Sequence, residues 1–363
     1  MRSIIANLHR TKTRRRASTA TLIVCALLIA GCETAGEPER RQRSLLGTQS
    51  VITIHDSRIP SGAFDRYFDR VEEIQDRMSI NEERYDETEV LRINRSAGQE
   101  AVAVSEDTFF VIEEAIRWGD ITEGYFDITV APLIRLWGIG TPNERVPGEA
   151  EREEAIGLVD YREIELESDN TSVYLPREGM GIDVGGIAKG YAVDEIARMM
   201  ADDGIESAII DFGGDLYTVG TRPDGDRWRI GIQHPSGVRQ RLLAVITSSN
   251  EAIVTSGPYE RYFEEDGQRF HHLFDVTTGA PADNELVSVT VSGPDAIGAD
   301  ALSTGAFVMG LVRGLALIEN LDGYEAIFAT DDGKVYATPG LFDEVEIRDE
   351  EYELVSTDEA PIE

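Results

Sequence analysis

The stretch Ile209-Ile210-Asp211-Phe212-Gly213-Gly214-Asp215-Leu216 places a pair of glycines between two β-rich runs. Such a pair is typical of a hairpin turn, because glycine readily adopts the positive φ values that tight turns require. No helical pattern separates the two runs, so they are predicted to be antiparallel neighbours. The stretch therefore argues against a Rossmann-type parallel sheet and for a fold that contains hairpins.

Similar patterns continue along the chain. Further β-rich runs occupy 51–54, 172–175, 207–211, 216–219, 228–233, 242–247, 270–274, 286–291 and 325–338. Apolar residues at helical spacing predict helices over 61–80, 105–118, 187–200 and 299–318, with Ser105 as a candidate N-cap. Together these elements predict an α+β fold with largely antiparallel sheets and packed helices.

The composition is strongly acidic. The 363 residues include 68 Asp and Glu but only 34 Lys and Arg, a formal net charge of −34. This balance argues against nucleic acid as a partner, because phosphate backbones are bound by basic surfaces. The hydrophobic fraction of 41% is ample for a core. The acidic C-terminal end is predicted to be a solvated tail.

The N-terminal segment has the features of an export signal. Three arginines at 14–16 precede an apolar run over 22–30 that is too short to span a bilayer. Ile29-Ala30-Gly31-Cys32 then resembles the lipobox of bacterial lipoproteins, in which the cysteine becomes the acylated first residue; the alternative is an ordinary buried cysteine. The predicted parts are a signal peptide over 1–31, an acylated Cys32 with a polar tether over 32–44, a folded domain over 45–340, and the acidic tail over 341–363.

Two predicted helix starts are candidate parts of a binding site. Residues 179–190 bring five glycines and Lys189 to one of them, where backbone amides favour an anion, although a plain turn with an exposed lysine explains the residues equally well. Asp300 and Thr304 lie four residues apart on the other helix, hence on one face, where a carboxylate and a hydroxyl can hold Mg²⁺. The alternative is that Asp300 caps its helix and Thr304 bonds to its own backbone.

A pair of adjacent histidines, His271-His272, is a candidate source of a general base. Alternation along a strand sends the two rings to opposite faces, so one can act on a substrate while the other is at the surface. Asp275, three residues further along, is the next candidate. No G-x-S-x-G or H-E-x-x-H motif is present, which leaves serine-hydrolase and zincin chemistry without support.

Six motifs, taken in order, resemble those of the ApbE family, the FAD:protein FMN transferases, over about residues 45–335. They are Leu46-Gly47-Thr48, the stretch 124–133 with Leu136-Trp137-Gly138, and the stretches 183–194, 211–215, 272–275 with Thr278-Gly279, and 300–304. Family members are exported lipoproteins or periplasmic proteins. The resemblance therefore implies an exported protein that is lipid-anchored, at the inner membrane facing the periplasm.

The resemblance also implies roles for individual residues. Asp300, Thr304 and the backbone oxygen of Gly186 would hold Mg²⁺, and His272 would be the catalytic base. The residues expected to contact or line FAD, the substrate, are Leu46, Tyr125, Phe126, Asp127, Asp183, Lys189 and Phe274. The family commonly has methionine at the position of Leu46.

The implied reaction is attack by a Thr or Ser hydroxyl of an acceptor flavoprotein on the FMN-side phosphorus of FAD. FMN becomes linked to the acceptor by a phosphoester bond, and AMP is released. Two alternatives use the same site: a Mg²⁺-dependent FAD pyrophosphatase, in which water replaces the acceptor, and a flavin-binding lipoprotein without turnover. The presence of His272 and of both Mg²⁺-binding side chains counts against the last of these.

Overall fold

The computed structural model describes residues 37–81, 84–238 and 241–361, so the predicted signal peptide and Cys32 lie outside the described residues. In chain order the helices are α1 (Ala63–Met78), α2 (Glu89–Arg95), α3 (Glu106–Ile121), α4 (Ala131–Trp137), α5 (Glu149–Ile156), α6 (Ala188–Asp202), α7 (Ala296–Met309), α8 (Leu311–Glu319) and α9 (Pro339–Phe342). The strands up to the middle of the chain are β1 (Glu39–Leu45), β2 (Thr48–Ile54), β3 (Val102–Ala103), β4 (Glu165–Glu167), β5 (Ser172–Tyr174), β6 (Ser207–Phe212), β7 (Asp215–Gly220), β8 (Trp228–Gln233), β9 (Leu242–Ser248) and β10 (Glu251–Ser256). The remaining strands are β11 (Tyr262–Glu265), β12 (Gln268–His271), β13 (Phe274–Asp275), β14 (Ala280–Pro281), β15 (Leu286–Gly293), β16 (Glu325–Thr330), β17 (Lys334–Ala337), β18 (Glu346–Ile347) and β19 (Glu353–Val355). Among these residues, no helix combines the length and apolar character needed to cross a membrane.

A nine-stranded sheet of order β1-β2-β6-β7-β10-β15-β16-β17-β19 forms the centre of the fold. Its neighbouring strands are antiparallel except for β17 and β19. Helices α6 and α7 pack on one face, and the three-stranded sheet β18-β9-β8 covers the other. Alternate residues of β6 serve the two layers, since Ile210 belongs to the helix-side core and Ile209 packs on the opposite side. The predicted α+β fold with largely antiparallel sheets is confirmed.

The Gly-Gly pair forms the predicted hairpin turn. Strands β6 and β7 pair up to Phe212 and Asp215, which leaves Gly213 and Gly214 as a two-residue loop. Their φ values are 72° and 103°, which side chains with a Cβ rarely adopt. The turn places Asp215 at the start of β7 with only 2% of its surface exposed.

The helix predicted over 299–318 is two helices. Gly310, with φ of 80°, ends α7 and precedes α8. Helix α7 also begins earlier than predicted, because the carboxylate of Asp295 accepts a hydrogen bond from the amide of Gly298 at 2.8 Å and caps the helix. The predicted capping role of Ser105 is correct, since its Oγ accepts a hydrogen bond from the amide of Thr108.

Two segments that were predicted to lie outside the fold contribute strands to it. Strand β1 lies in the predicted tether and pairs with β2, and β18 and β19 lie in the predicted tail and pair with β9 and β17. The idea of a solvated tail is wrong at these strands, because Tyr352 and Leu354 recur with a period of two and pack against the core between the sheets. The high acid content of the segment masks this short alternating pattern.

Helices α6 and α7 approach each other very closely at Gly190. A Cβ at this position would lie 2.2 Å from the carbonyl oxygen of Ala296. One turn further along α6, the carboxylate of Asp194 accepts hydrogen bonds from the amides of Ala296 at 2.7 Å and Ile297 at 2.9 Å. These amides belong to the first turn of α7 and have no partner within that helix. The contact thus fixes the start of α7 relative to α6.

Replacing Gly190 by Ala is expected to destabilise the protein by about 1–3 kcal/mol, although alanine is the better helix former, because the helices must separate to admit the methyl group. Urea unfolding followed by circular dichroism measures the change. The matched control is Ala201→Gly at an exposed position of α6, expected to cost about 1 kcal/mol through helix propensity alone. A Gly190→Ala protein as stable as the wild type would contradict the close-packing argument.

Candidate functional site

A cavity of about 640 Å³ lies where the β1–β2 turn, the loop before α6, α7 and the segment around His272 meet. Its volume is in the range of small-molecule binding sites. The cavity is lined by every site residue that the sequence predicted within the described part of the chain: Leu46, Tyr125, Phe126, Asp127, Asp183, Gly186, Lys189, His272, Phe274, Asp300 and Thr304. Cys32, the predicted lipidation site, lies outside the described residues.

The glycine-rich loop before α6 is held by hydrogen bonds at its base. The side chain of Asn94 bonds both the amide and the carbonyl of Ile182, at 2.7 and 2.8 Å. The amide of Asp183 donates to the carbonyl of Ile128 at 2.7 Å, and the Asp183 carboxylate accepts from the amide of Gly185 at 2.8 Å. Burial raises the pKa of Asp183, and the Gly185 amide opposes this shift.

Lys189 forms a charge cluster with two buried carboxylates. Its Nζ lies 2.6 Å from Asp215 Oδ2 and 3.2 Å from Asp300 Oδ2, and the side chains of the two acids are 3% and 4% exposed. The amide of Gly190 also donates to Asp300 Oδ2, at 3.2 Å. The alternative of an exposed lysine is therefore wrong, and so is that of Asp300 as a helix cap, because Asp295 occupies the capping position.

The cluster contains one basic and two acidic side chains, and the pKa values of Lys189 and Asp215 are shifted within it. Burial alone would lower the pKa of Lys189, but the carboxylates of Asp215 and Asp300 raise it above its ordinary value, so the ammonium stays charged. Burial and the neighbouring charge of Asp300 raise the pKa of Asp215, and Lys189 opposes them. One ammonium group therefore serves two buried carboxyl groups at the cavity wall.

Oxygen atoms suited to a hard cation converge beside this cluster. Thr304 lies one turn after Asp300 on α7, and a Cβ at Gly186 would lie 3.7 Å from Thr304 Oγ1, so the loop passes close to that side chain. A carboxylate, a hydroxyl and a peptide carbonyl form an all-oxygen donor set, which is what Mg²⁺ prefers. The residues present therefore fit the predicted ion.

His272 presents one ring nitrogen as a proton acceptor. Its Nδ1 lies 3.2 Å from the carbonyl oxygen of Arg261. A carbonyl can only accept, so Nδ1 carries the hydrogen and Nε2 keeps its lone pair. Burial, reinforced by the guanidinium of Arg261, lowers the pKa of His272 to about 3. The imidazole is consequently neutral at physiological pH.

The neighbouring His271 is buried, so the prediction that the second ring lies at the surface is wrong. Its Nε2 donates to the carbonyl of Ala282 at 3.0 Å, and its ring meets Phe307 edge-on. The chain after His272 folds back to bring Ala282 to the ring, and the amide of Ala282 donates to the carbonyl of Leu273. Asp275, the other candidate base, bonds the amide and the hydroxyl of Thr277 and stabilises the turn that follows it.

Tyr125, Phe126 and Phe274 line the cavity, and an aromatic cluster lies behind Phe274. Phe274 packs with Trp137, whose indole N–H donates to the carbonyl of Gly279 at 2.8 Å, and Phe263 and Phe270 complete the cluster. Such a surface suits a flat conjugated ring.

The predicted residues at 125–127 act mainly through backbone and packing. The hydroxyl of Tyr125 bonds Arg313, and the amide of Phe126 donates to Thr122 Oγ1 at 3.0 Å. Asp127 uses its carboxylate internally, accepting from Thr129 and from the amide of Tyr161 at 3.0 Å. These bonds fix the course of the chain past the cavity.

Leu46 occupies an unusual backbone conformation at the cavity edge. It has φ of 54° in the two-residue turn between β1 and β2, which is rare for a bulky side chain. The carboxamide of Gln75 holds it, because Gln75 Oε1 accepts from the Leu46 amide at 2.7 Å. Gln75 also donates to the hydroxyl of Tyr85, at 2.7 Å.

Three residues of the site were given no role from the sequence. Asp215 lies in a quoted motif, and its position after the Gly-Gly turn was an available signal. Arg261 lines the cavity, and its guanidinium makes no hydrogen bond or ion pair within 4 Å to the residues that the structure describes. Ser256 lines it as well, at the end of β10. No motif pointed to the last two, because their positions follow from strand pairing.

Comparison with known proteins agrees with this geometry. The sequence profile of the ApbE family matches residues 46–328. A protein of Vibrio cholerae serotype O1 named "FAD:protein FMN transferase" is 38% identical over 323 residues, covering 86% of this chain and 94% of the relative. The crystal structure of the ApbE protein of Thermotoga maritima superposes with a TM-score of 0.78 at 32% identity, covering 86% of this chain and all of that one. The flavin transferase ApbE of Vibrio cholerae superposes with a TM-score of 0.74 at 33% identity, over 85% of this chain and 99% of that one. The chain described here belongs to the ApbE family.

Proposed function

We propose that this protein transfers FMN from FAD to a Thr or Ser hydroxyl of an acceptor flavoprotein. The observation that carries the proposal is the single cavity in which an oxygen donor set, a lysine and a neutral histidine with a free Nε2 lie beside aromatic side chains. Membership of a family with relatives named for this reaction adds support. In the reaction, the acceptor oxygen bonds to the FMN-side phosphorus, the P–O bond of the pyrophosphate breaks, and AMP leaves.

The glycine-rich loop and the two cations are suited to holding the pyrophosphate. Residues 185–190 include the N-terminal turn of α6, where the helix dipole favours negative charge. Lys189 and Arg261 both line the cavity, and each can donate a charge-assisted hydrogen bond to a phosphate oxygen. Asp183 and Asp127 shape the loop and the opposing chain rather than face an anion directly, since their carboxylates bond backbone amides.

His272 is suited to removing the hydroxyl proton of the acceptor. Its Nε2 is unprotonated, and the bond from Nδ1 to the Arg261 carbonyl orients the ring. That carbonyl also favours the imidazolium that forms when Nε2 takes up a proton.

Mg²⁺ would be held by Asp300, Thr304 and the carbonyl oxygen of Gly186, and when bound it would offset charge on the pyrophosphate. The Asp300 carboxylate already lies 3.2 Å from Lys189 Nζ. Binding of the ion to this carboxylate would therefore weaken its contact with the lysine. Lys189 keeps Asp215 at 2.6 Å as a second partner. The cluster can therefore share Asp300 with a cation without leaving the lysine unpaired.

The test of the reaction is to incubate the full-length chain with FAD, Mg²⁺ and an acceptor flavoprotein, and to measure acceptor mass and released AMP. We expect the acceptor to gain the mass of FMN in step with AMP. AMP without a gain in acceptor mass would instead indicate the pyrophosphatase, and neither product would indicate a flavin-binding protein without turnover.

His272→Ala is expected to lower the rate of transfer by about 10² to 10⁴-fold while FAD binding stays close to that of the wild type. Mass spectrometry of samples quenched at successive times gives the rate of transfer, and isothermal titration calorimetry gives the affinity for FAD. His55→Ala is the control, since that imidazole meets Trp228 edge-on outside the cavity and should be dispensable for transfer. Transfer at the wild-type rate by His272→Ala would show that another group takes the proton.

Lys189→Ala is expected to weaken FAD binding by roughly 1.5–3 kcal/mol, the usual worth of a charge-assisted hydrogen bond. Calorimetric titration in Mg²⁺ measures it. Lys334→Ala is the matched control, because Lys334 is an exposed lysine that pairs with Asp332 on the surface. Equal FAD affinities for the Lys189→Ala and Lys334→Ala proteins would show that Lys189 does not contribute to FAD binding.

We further propose that the protein is exported and lipid-anchored through Cys32 at the inner membrane, facing the periplasm. The support is the sequence Ile29-Ala30-Gly31-Cys32 after a basic and apolar leader. Cys32→Ala is expected to move the protein from the membrane fraction to the soluble fraction of a bacterial host, as followed by immunoblotting. Cys25→Ala, which keeps the lipobox cysteine, should leave the distribution unchanged. Retention of the Cys32→Ala protein in membranes would mean that a different segment anchors it.

A further inference from the structure

A chain of hydroxyl groups runs from Thr304 into the core. Ser256 Oγ lies 3.3 Å from Thr304 Oγ1 and 2.8 Å from Ser303 Oγ, and Ser303 Oγ lies 3.0 Å from the carbonyl oxygen of Asp300. Ser303 is fully buried on α7, and Ser256 ends strand β10, which packs beneath that helix. Ser256 and Ser303 are not among the residues to which the family resemblance assigned a role.

The direction of each hydrogen bond follows from the last member of the chain. A peptide carbonyl only accepts, so Ser303 donates its single hydroxyl hydrogen to Asp300. Ser303 Oγ must then accept from Ser256, which in turn has no hydrogen left and accepts from Thr304. The hydrogen of Thr304 is therefore directed at Ser256, and neither of its two lone pairs is used within the chain of hydroxyl groups, so one is free to face the cavity.

The free lone pair is what a metal ion requires of a hydroxyl ligand. Thr304 Oγ1 lies next to Gly186 at the cavity wall, beside the Asp300 carboxylate. If the hydroxyl rotated, it would present its hydrogen to the cavity and repel a cation. We propose that Ser256 and Ser303 are positioning residues that fix the Thr304 hydroxyl as a ligand for a divalent cation. This inference rests on the proposed function, because it specifies how one of the Mg²⁺ ligands is oriented.

The two serines act in series, which gives the proposal a distinctive signature. Without Ser303, Ser256 is free to donate to Thr304, which then can no longer donate to Ser256 and directs its own hydrogen toward the cavity. Without Ser256, Thr304 loses its acceptor and Ser303 no longer influences it. Loss of both serines should thus cost no more than loss of Ser256 alone, whereas two independent contributions would add.

The experiment measures binding of Mn²⁺, used as a probe that electron paramagnetic resonance detects, to the full-length chain without FAD. We expect Ser303→Ala and Ser256→Ala each to weaken Mn²⁺ binding about tenfold or more, as is usual for partners that orient a metal ligand. The double variant should match Ser256→Ala, and Ser256→Thr, which keeps the hydroxyl, should restore most of the affinity. Thr290→Val is the matched control: its hydroxyl is also buried, but it bonds Thr255 at 2.9 Å and lies outside the chain.

The outcomes separate the orientation of Thr304 from the proposed function. Asp300→Asn gives the Mn²⁺ affinity of a site that lacks the carboxylate ligand. Wild-type affinity in both serine variants, or additive losses in the double variant, would overturn the serine chain while leaving the transferase proposal in place. Absence of Asp300-dependent Mn²⁺ binding in the wild type would overturn both the cation site and its orientation. Thermal melting identifies a variant that fails to fold. The Mn²⁺ affinity of the serine variant that does fold, compared with those of Ser256→Thr and the wild type, then decides the question.

Discussion

The contact of α6 with the start of α7 at Gly190 is the constraint on which the site depends. Lys189 precedes this glycine and Asp300 lies one turn into α7, so the distance between the helices sets the distance between the ammonium and the carboxylate. The Gly190 amide donates to the same carboxylate, and Asp194 holds the first amides of α7. Because backbone approaches backbone at this point, the residue has room for no side chain.

The same arrangement allows two carboxylates to be buried in a strongly acidic protein. A buried charge is costly unless it is paired and hydrogen-bonded, and removing one partner leaves the other exposed to that cost. Here one lysine serves Asp215 from the central sheet and Asp300 from a helix that packs on it. The sheet and the helices are therefore connected by an ionic contact as well as by apolar packing, and this contact lies at the cavity wall.

Local patterns predicted the parts of this fold that depend on local geometry. Gly213 and Gly214 specified a turn because a two-residue hairpin loop needs positive φ values, and Asp300 and Thr304 specified one helical face because they are four residues apart. The partners of those residues follow from topology. Ser256 reaches Thr304 across a separation of 48 residues, and nothing in its own neighbourhood indicates that strand β10 passes under α7. His271 was misplaced for a related reason, since its partner Ala282 is supplied by a later turn. Composition was misleading at the acidic C-terminal end. A few apolar residues there pack against the core as part of a strand, but the many acidic residues around them made the segment look like a solvated tail.

If Cys32 carries the proposed lipid, the position of β1 limits the distance between the folded domain and the membrane. The strand begins at Glu39, so a lipid on Cys32 would be connected to the central sheet by six residues, and the seven Cα–Cα steps from Cys32 to Glu39 span at most about 25 Å when fully extended. Beyond the leader the chain carries 28 basic residues against 68 acidic ones, and anionic headgroups repel such a surface. With that anchor, the short connection would keep the domain close to the bilayer while its negative charge would oppose close approach to anionic headgroups. An acceptor held in the same membrane would then stay within reach of the domain, whereas a freely diffusing acceptor would have to reach the membrane surface first.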